Sequence, residues 1–168
     1  MSGNHTHYDT NDPEKKRHVK TYPPVVFSGR TKIFCDPAAF IGTFSFISCM
    51  ELHMEYGSQI NRFVEVSGRG RLFMGENSVI GSHCTILTSS DTPEEEYMND
   101  LSDEVVRKVV TGDIVIHKDA FIGSHCVIMP GVKIGRRAVV GANSYVSKDV
   151  PDDVVTTPVQ NMRTRPRQ

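Results

Sequence analysis

The sequence predicts an all-β fold in which very short parallel strands wind into a triangular column. Two observations carry this prediction: an aliphatic residue returns at every sixth position, and a small residue follows each of them four positions later. A helix repeats at about 3.6 residues and a half-buried strand at about 2, so this spacing indicates a short strand and a tight turn taken repeatedly. The aliphatic positions of the clearest stretch are Ile116, Ile122, Ile128, Ile134, Val140 and Val146.

The small positions define which way the strands face. They are Ala120, Cys126, Val132, Ala138 and Ser144. Because side chains alternate across a strand, each small residue and the aliphatic residue two positions after it point to the same side, which we expect to be the inside. Glycine often follows the aliphatic residue, as at Gly123, Gly135 and Gly141, and it permits the positive φ that a tight corner can demand. Three such strands close a coil of roughly 18 residues.

The same register continues upstream over residues 33–87 with two interruptions. Seven positions separate Ile47 from Met54, and a slip of two residues falls near Leu72. A parallel coil can absorb extra residues only where the chain turns or bulges, so we expect corner insertions or bulges at both places. The signal is clearest over residues 114–150, where the spacing never slips.

A repeated pentapeptide locates a longer insertion. IGSHC occurs at 80–84 and again at 122–126, which is 42 residues later, whereas one coil accounts for only about 18. The remaining stretch, at about 89–112, lacks the sixfold rhythm and is acidic at its start. We therefore expect an excursion of roughly 24 residues from one corner, with room for a short helix at 101–110; structureless loops of that length tend to be functional.

The composition narrows the classes of function. A net charge of −1 over 168 residues gives no general attraction to nucleic acid or to an anionic membrane. No apolar run approaches the ~18 residues of a membrane span, and residues 1–20 lack the apolar core of a secretory signal. We therefore expect a cytoplasmic protein that binds neither nucleic acid nor a membrane. The four cysteines form no CxxC pair, which favours reduced thiols. Three of them, Cys35, Cys84 and Cys126, fall on inward positions and are expected to be buried.

These patterns divide the chain into three parts. Residues 1–25 are predicted to be a polar N-terminal arm. Residues 26–155 are predicted to form the β-helix domain with its excursion, and residues 156–168 a basic C-terminal tail.

Residues 113–155, GDIVIHKDAFIGSHCVIMPGVKIGRRAVVGANSYVSKDVPDDVV, closely resemble the C-terminal coils of the hexapeptide-repeat acyltransferases, and among them the sugar O- and N-acetyltransferases. IGSHCTILTSSD, followed by a loop, is similar to the segment that carries the active site in that family. The resemblance covers about residues 33–155. It implies a left-handed parallel β-helix, contrary to the usual right-handed crossover, a homotrimer with active sites between subunits, and acetyl-CoA as the donor.

A prism with straight walls has no deep concavity, so a cleft must come from the projecting loop or from the groove between two prisms. The phosphates of CoA need cations and free backbone N–H groups. Corners rich in Gly, Ala and Ser allow a pantetheine arm to lie close to the backbone, and the resemblance adds a lysine near the phosphates. The residues expected to bind CoA are Gly123, Ser124, Gly141, Ala142 and Lys148.

Acyl transfer from a thioester to a hydroxyl needs a base and donors for the oxyanion. Many relatives place a histidine soon after the strand that precedes the loop, but this chain has TSSDT there, with Asp91 at the expected position. Asp91 is therefore the first catalytic candidate, as the base or as a group that orients one, and His83 is the second. Alternatively, one of His83, His117 and His125 could reach in from the corner of a neighbouring subunit. An amine acceptor that arrives neutral would need mainly positioning. The structural alternatives are that Asp91 caps its own backbone in a turn and that the corner histidines are ordinary surface residues. His53 belongs to no evident group of functional residues.

The sequence thus predicts an acetyltransferase that moves the acetyl group of acetyl-CoA to a hydroxyl or amine of a sugar or sugar nucleotide, in surface-polysaccharide synthesis and without a metal. One alternative is a β-helix scaffold subunit that has lost its chemistry. Another is a metal hydratase like the γ-class carbonic anhydrases, with His83, His117 and His125 as ligands. The separation between His117 and His125 does not match the close histidine pair of that family.

Overall fold

The computed structural model describes residues 20–91 and 108–158, and within these ranges the chain forms strands and no helix. The strands are two to four residues long. They assemble into three parallel sheets, which we call walls A, B and C, because the chain visits them in that order in every coil. The prediction of an all-β, left-handed parallel β-helix is confirmed.

Each wall is a ladder of strands from successive coils. Wall A contains β1 (Lys20–Thr21), β4 (Phe40–Ile41), β7 (Gln59–Ile60), β10 (Val79–Ile80), β15 (Phe121–Ile122), β18 (Val139–Val140) and β20 (Val155–Thr156). Wall B contains β2 (Val26–Phe27), β5 (Phe46–Ser48), β8 (Glu65–Ser67), β11 (Thr85–Leu87), β16 (Val127–Ile128) and β19 (Tyr145–Val146). Wall C contains β3 (Lys32–Cys35), β6 (Glu51–Met54), β9 (Arg71–Met74), β14 (Ile114–Ile116) and β17 (Lys133–Ile134). A separate antiparallel pair, β12 (Ser89–Asp91) and β13 (Val109–Thr111), leaves the column.

The core is a stack of aliphatic side chains along the axis of the column. All six aliphatic residues of the clearest repeat are buried, and so are the five small residues between them. Equivalent positions of neighbouring coils carry the same residue type, since Ile80 pairs with Ile122 and Ile86 with Ile128. Full burial of such a side chain contributes about 1.5–3 kcal/mol, so the sixfold pattern is the main source of stability of the column.

The cysteines all belong to this core. Cys35, Cys84 and Cys126 are buried as expected, but Cys49, which the pattern did not place inside, is buried as well and is 3 % exposed. Burial raises the pKa of the Cys49 and Cys84 thiols to about 11. Thiols in such surroundings remain protonated and unreactive at neutral pH.

The glycine that follows each aliphatic residue serves a different purpose from the one predicted. Gly123 has no positive φ; the left-handed conformation falls two residues later, at His125, with φ of 60°. A Cβ on Gly123 would lie 2.5 Å from the backbone nitrogen of Ala142 in the next coil. The glycine is therefore required because adjacent coils approach closely, and the turn itself is made by a residue with a side chain.

Departures from the six-residue spacing are confined to one corner. Successive inward residues across the corner from A to B, and across the corner from C to A, are six positions apart in each described coil. At the corner from B to C, seven positions separate Ile47 from Met54, eight separate Val66 from Met74, and the excursion follows Ile86. The expected insertions are thus present, and they all lie along the B/C edge of the prism.

The column begins and ends slightly outside the predicted limits. β1 pairs with β4, and Thr21 and Val25 are buried, so the last residues of the predicted arm are part of the first coil. At the other end β20 reaches Thr156, the first residue of the predicted tail. Residues 1–19 and 159–168 lie outside the described residues. Most of the expected helix at 101–110 does too, and its described end belongs to strand β13. Within the described ranges no helix is long and apolar enough to cross a membrane.

Candidate functional site

The described part of the excursion is the stem of an antiparallel hairpin at the B/C corner. Ser89 pairs with Thr111, Ser90 with Val110, and Asp91 with Val109. The stem starts one residue after Thr88, the last residue held by the coil. It is the described part of the chain that departs from the three walls, so it is the feature around which a cleft can form.

The stem rests on the corner of the coil below it. The backbone N–H of Arg69 donates to Ser89 Oγ at 3.1 Å. The backbone N–H of Arg71 donates to Asp113 Oδ1, just beyond the second strand of the stem, at 2.9 Å. Both strands of the hairpin are therefore anchored to the loop between β8 and β9, which carries the slip seen in the sequence near Leu72.

Asp91 is the last described residue of strand β12, and it is half-buried. Its backbone is paired with Val109 in the stem. The structure places Asp91 at the expected point, on the first strand of the excursion.

The two corner histidines lie on successive coils at the A/B corner, as their register predicted. The rings of His83 and His125 are stacked, with centroids 4.8 Å apart and planes 1° from parallel. Phe63 continues the stack below His83 at 4.7 Å, and Phe44 continues it below Phe63 at 5.1 Å. All four residues have left-handed backbones, with φ between 57° and 61°. The ladder of rings is exposed along the edge of the prism, and Phe44 is 58 % exposed.

The two predicted catalytic residues do not meet within one chain. His83 lies before β11 and Asp91 after it, so the width of wall B separates them. A three-residue strand spans roughly 10 Å at ~3.3 Å per residue. Direct cooperation between an aspartate and a histidine of these two corners therefore requires two copies of the chain.

The three histidines considered as metal ligands lie at two different corners of one chain. His117 starts the C/A corner of its coil, whereas His83 and His125 lie at the A/B corner. Within residues 20–91 and 108–158 no group of three or more His, Cys, Asp or Glu side chains is placed to hold a metal ion.

The residues expected to bind CoA lie toward the C-terminal end of the column. Gly123 and Ser124 start one A/B corner, and Gly141 and Ala142 start the next one above it. Gly123 is buried beneath Ala142, while Ala142 itself is exposed. Lys148 is exposed on the next corner, after β19.

A surface hollow of about 550 Å³ lies at this end of the column, and Lys148 is the one member of this set of five that lines it. It runs from the A/B corner to the lysine and is lined by residues of the last coil, among them Asn143, Tyr145, Ser147, Lys148 and Thr156. Asn143 follows Ala142 and has a left-handed backbone. The structure thus brings the proposed corner and the proposed cation to the same end of the prism.

One polar constellation on wall C was missed at the sequence level. His53 Nε2 lies 3.0 Å from Glu51 Oε2, and the imidazole is stacked between Phe34 and Phe73 at 4.5 and 4.6 Å. This hydrogen bond, followed by the charge of Arg71, lowers the pKa of the Glu51 carboxyl. Glu51 and His53 are two residues apart on one strand, so they share its outward face; that spacing was the signal available in the sequence.

Residues 113–148 match the bacterial transferase hexapeptide family of six repeats. YvoF of Bacillus subtilis, which is named as an acetyltransferase, is 34% identical over 117 residues, which are 67% of this chain and 60% of that protein. A galactoside O-acetyltransferase of Lactococcus lactis is 32% identical over 84 residues, which are 50% of this chain and 38% of that protein. The chain therefore spans less than two thirds of the length of these two relatives.

A solved structure shares the fold of the column. AntD, an N-acyltransferase from Bacillus cereus in complex with dTDP and 3-hydroxybutyryl-CoA, superposes with a TM-score of 0.75 at 22% identity. The match covers 88% of this chain and 79% of AntD. At this identity the likeness concerns the fold, which is the triangular column described above.

Proposed function

Because residues 113–148 match the bacterial transferase hexapeptide family, we propose that this chain is a hexapeptide-repeat transferase that moves the acetyl group of acetyl-CoA to a hydroxyl or amine of a sugar or sugar nucleotide. The observation that carries the proposal is the antiparallel stem at the B/C corner, which holds Asp91 on a strand that leaves the three walls. The names of the relatives support the reaction class: a galactoside O-acetyltransferase and an N-acyltransferase bound to dTDP and an acyl-CoA.

In the proposed reaction the Asp91 carboxylate takes the proton of the acceptor as its oxygen or nitrogen attacks the thioester carbonyl. The tetrahedral intermediate then collapses, the carbon–sulfur bond breaks, and the thiolate of CoA leaves and takes up a proton. His83 is the second candidate for proton transfer. Since wall B separates it from Asp91 in one chain, His83 would act from the A/B corner of a neighbouring copy.

We propose a homotrimer as the assembly that brings these corners together. The exposed ring ladder at the A/B corner supports it, because Phe44 and Phe63 are 58 % and 46 % exposed and Phe46 lies on the adjoining wall. Contiguous exposed aromatic surface of this kind is typical of subunit contacts. A site between subunits also supplies the second wall that a single prism lacks.

For CoA, we propose that the pantetheine arm lies along the A/B corners that begin with Gly123, Ser124, Gly141 and Ala142, where Ala142 is exposed above the buried Gly123. The Lys148 ammonium would contact the phosphates from the rim of the C-terminal hollow. No step of the proposed reaction requires a metal. The free, buried thiols fit a reducing compartment, and we place the reaction in the cytoplasm, in the synthesis of surface polysaccharide.

The experiment that tests the function is an acceptor screen. Purified full-length chain is incubated with acetyl-CoA and a panel of amino sugars, hydroxy sugars and their nucleotide derivatives, and release of free CoA thiol is followed. We expect release that depends on the acceptor for one class of sugar. Thermal unfolding with CoA is measured in parallel, because a ligand at about 100 times its Kd stabilises the native state by about 2.7 kcal/mol.

The alternatives predict different results in the same measurements. A scaffold subunit gives neither thiol release nor a rise in the unfolding midpoint with CoA. A metal hydratase gives purified protein with stoichiometric zinc, iron or cobalt, which elemental analysis detects. Either result would remove the acetyltransferase proposal.

A further inference from the structure

We propose that Thr88 is a positioning residue that fixes the direction in which the Asp91 hairpin leaves the column. The proposal rests on the proposed function, in which Asp91 takes the proton of the acceptor. Thr88 is the residue at which wall B ends and the hairpin begins. It does not touch the reacting groups in this proposal and acts through the placement of Asp91, three residues further along the strand.

Thr88 is fully buried and bonded on all its polar sides. Its hydroxyl donates to the carbonyl of Ser67 at 3.0 Å and accepts the N–H of Gly70 at 3.2 Å. Its own N–H donates to the same Ser67 carbonyl at 2.7 Å, and its carbonyl accepts the N–H of Gly112 at 3.0 Å. One side chain thus joins the first strand of the hairpin to the corner below, and its backbone joins it to the returning strand.

The corner below is shaped to receive the hairpin. Gly68 has φ of 122°, which disfavours other residues, and a Cβ there would lie 2.3 Å from the backbone nitrogen of Ser89 and 2.6 Å from Thr88 Oγ1. A Cβ on Gly70 would lie 2.7 Å from the carbonyl oxygen of Gly112. The extra residues between Val66 and Met74 therefore form a seat in which the backbone of the hairpin lies directly on the backbone of the preceding coil.

The two extra residues near Leu72 thus form the loop that supports the hairpin stem. A coil with six-residue spacing at the B/C corner would have no loop on which the stem could rest. The insertion in one coil and the excursion in the next are adjacent in space and are joined by the hydrogen bonds of Thr88, Ser89 and Asp113. The small insertion therefore supports the hairpin, and the two form one structural unit.

The position of Asp91 is sensitive to that base. A two-stranded ribbon is marginally stable by itself in water, so its direction depends on the anchoring at its foot. Three residues of extended chain separate Asp91 from Thr88, a lever of roughly 10 Å. A tilt of about 6° at the foot moves a group at that distance by about 1 Å, and a misplacement of about 1 Å can lower a rate by about 10²-fold.

The test compares Thr88→Val, which keeps the shape of the side chain and removes the hydroxyl, with Thr88→Ser, which restores the hydroxyl. Thr31→Val is the matched control. Thr31 is also buried at a B/C corner, and its Oγ1 donates to the carbonyl of Cys49 at 2.8 Å, but it lies in the first coil, away from the hairpin. All three variants are made in the full chain, and Thr31→Val separates a general loss of stability from an effect on the hairpin.

Two readouts are measured on each variant: deuterium uptake of peptides covering 85–91 and 108–115, and kcat and KM with the acceptor found in the screen. We expect Thr88→Val to increase uptake in these two peptides and to lower kcat by roughly 10- to 100-fold, with KM for acetyl-CoA unchanged. Thr88→Ser is expected to recover most of kcat, and Thr31→Val to change neither readout.

Three results would overturn the proposal: unchanged uptake in the stem of Thr88→Val, an unchanged kcat despite a loosened stem, or an equal loss of kcat in Thr31→Val. Failure of the proposed function looks different. It appears in the wild-type chain as a lack of transfer to every acceptor, while the exchange measurement still decides whether Thr88 holds the stem.

Discussion

The A/B corner and the B/C corner are built by the same chain but respond differently to the repeat. At the A/B corner the spacing of inward residues is constant, and the same backbone conformation recurs at Phe44, Phe63, His83 and His125. At the B/C corner the spacing changes from coil to coil, and the bonding passes through side chains such as Thr31 and Thr88. The repetitive column therefore confines variation to its B/C edge, while the other two edges keep the coils in register.

The recurring left-handed turn at the A/B corner costs free energy, and stacking of the rings offsets part of that cost. A left-handed conformation costs a residue with a side chain on the order of 1–3 kcal/mol. Stacking of aromatic rings contributes about 0.5–1.5 kcal/mol for each pair beyond the area that it buries, and the ladder contains three such pairs. Each ring lies over the one in the coil below, so the strained turn is stabilised only when the coils are stacked.

The B/C corner is free of that constraint, because no ring ladder runs along it in the described residues. Its coils can differ in length as long as the backbone groups of each loop find partners. The Gly68–Gly70 loop and the hairpin stem satisfy one another, as the bonds of Thr88 and Ser89 show. Functional residues tend to lie on such variable loops held by a rigid scaffold, and the predictions below test that division of roles.

The largest expected effect is on catalysis at the variable corner. We expect Asp91→Asn to lower kcat by about 10²–10⁴-fold, because the amide cannot accept the proton of the acceptor, while the thermal unfolding midpoint stays near that of the wild type. Asp119→Asn is the control at the constant C/A corner, where φ is 58° and asparagine is tolerated. Equal kcat values for Asp91→Asn and the wild type would remove Asp91 from the mechanism.

The second prediction concerns the core shared by both kinds of coil. Ile86 and Ile128 pair with each other on wall B and are fully buried, but only the coil of Ile86 carries the hairpin. We expect Ile86→Ala and Ile128→Ala each to lower the free energy of unfolding by about 3–4 kcal/mol, as for other large-to-small core changes. Urea denaturation measures both. A loss below about 1 kcal/mol at Ile86 alone would mean that the coil carrying the hairpin lies outside the cooperative core.

The third prediction tests why glycine is needed beside the strands. A Cβ on Gly81 would lie 2.7 Å from the backbone nitrogen of Ser124, whereas a Cβ on Gly29, at the B/C corner of the first coil, would meet nothing within 4 Å. We expect Gly81→Ala to lower the free energy of unfolding by about 2–3 kcal/mol through this overpacking. Gly29→Ala should leave it within about 0.5 kcal/mol of the wild type. Equal effects in the same denaturation experiment would argue against close stacking as the reason.

The smallest effect concerns the pH dependence of stability. Burial raises the pKa of the Cys49 and Cys84 thiols to about 11 in the folded chain, from 9.0 when unperturbed. A raised pKa contributes stability that is present below pH 9.0 and is lost as the pH rises toward 11. By pH 10 we expect each thiol to lower the free energy of unfolding by about 1 kcal/mol. Urea denaturation of Cys49→Ala and Cys84→Ala at pH 8 and pH 10 measures this, and each variant should lose less stability between the two pH values than the wild type.

Much of the fold and part of the site were predictable from the sequence. The sixfold spacing identifies the inward residues, and the repeated IGSHC locates the excursion and places His83 and His125 at one corner, as the stacked rings confirm. These features depend on the order of residues along the chain and on the alternation of side chains in a strand. Asp91 was also placed correctly at the start of the excursion, although its location in a paired strand was not foreseen.

The order of residues along the chain is enough to define the period, the inward-facing core positions and the place where the column is interrupted. The contacts between coils follow only from the tertiary structure: Gly123 lies against Ala142, the His53 ring is stacked between Phe34 and Phe73 of the neighbouring coils, and the loop near Leu72 supports the hairpin through Thr88. The reason is that a period is a local property of the chain. A contact between coils joins residues that are far apart in the sequence, such as Val139 and Val155, and it exists only after stacking has set their register.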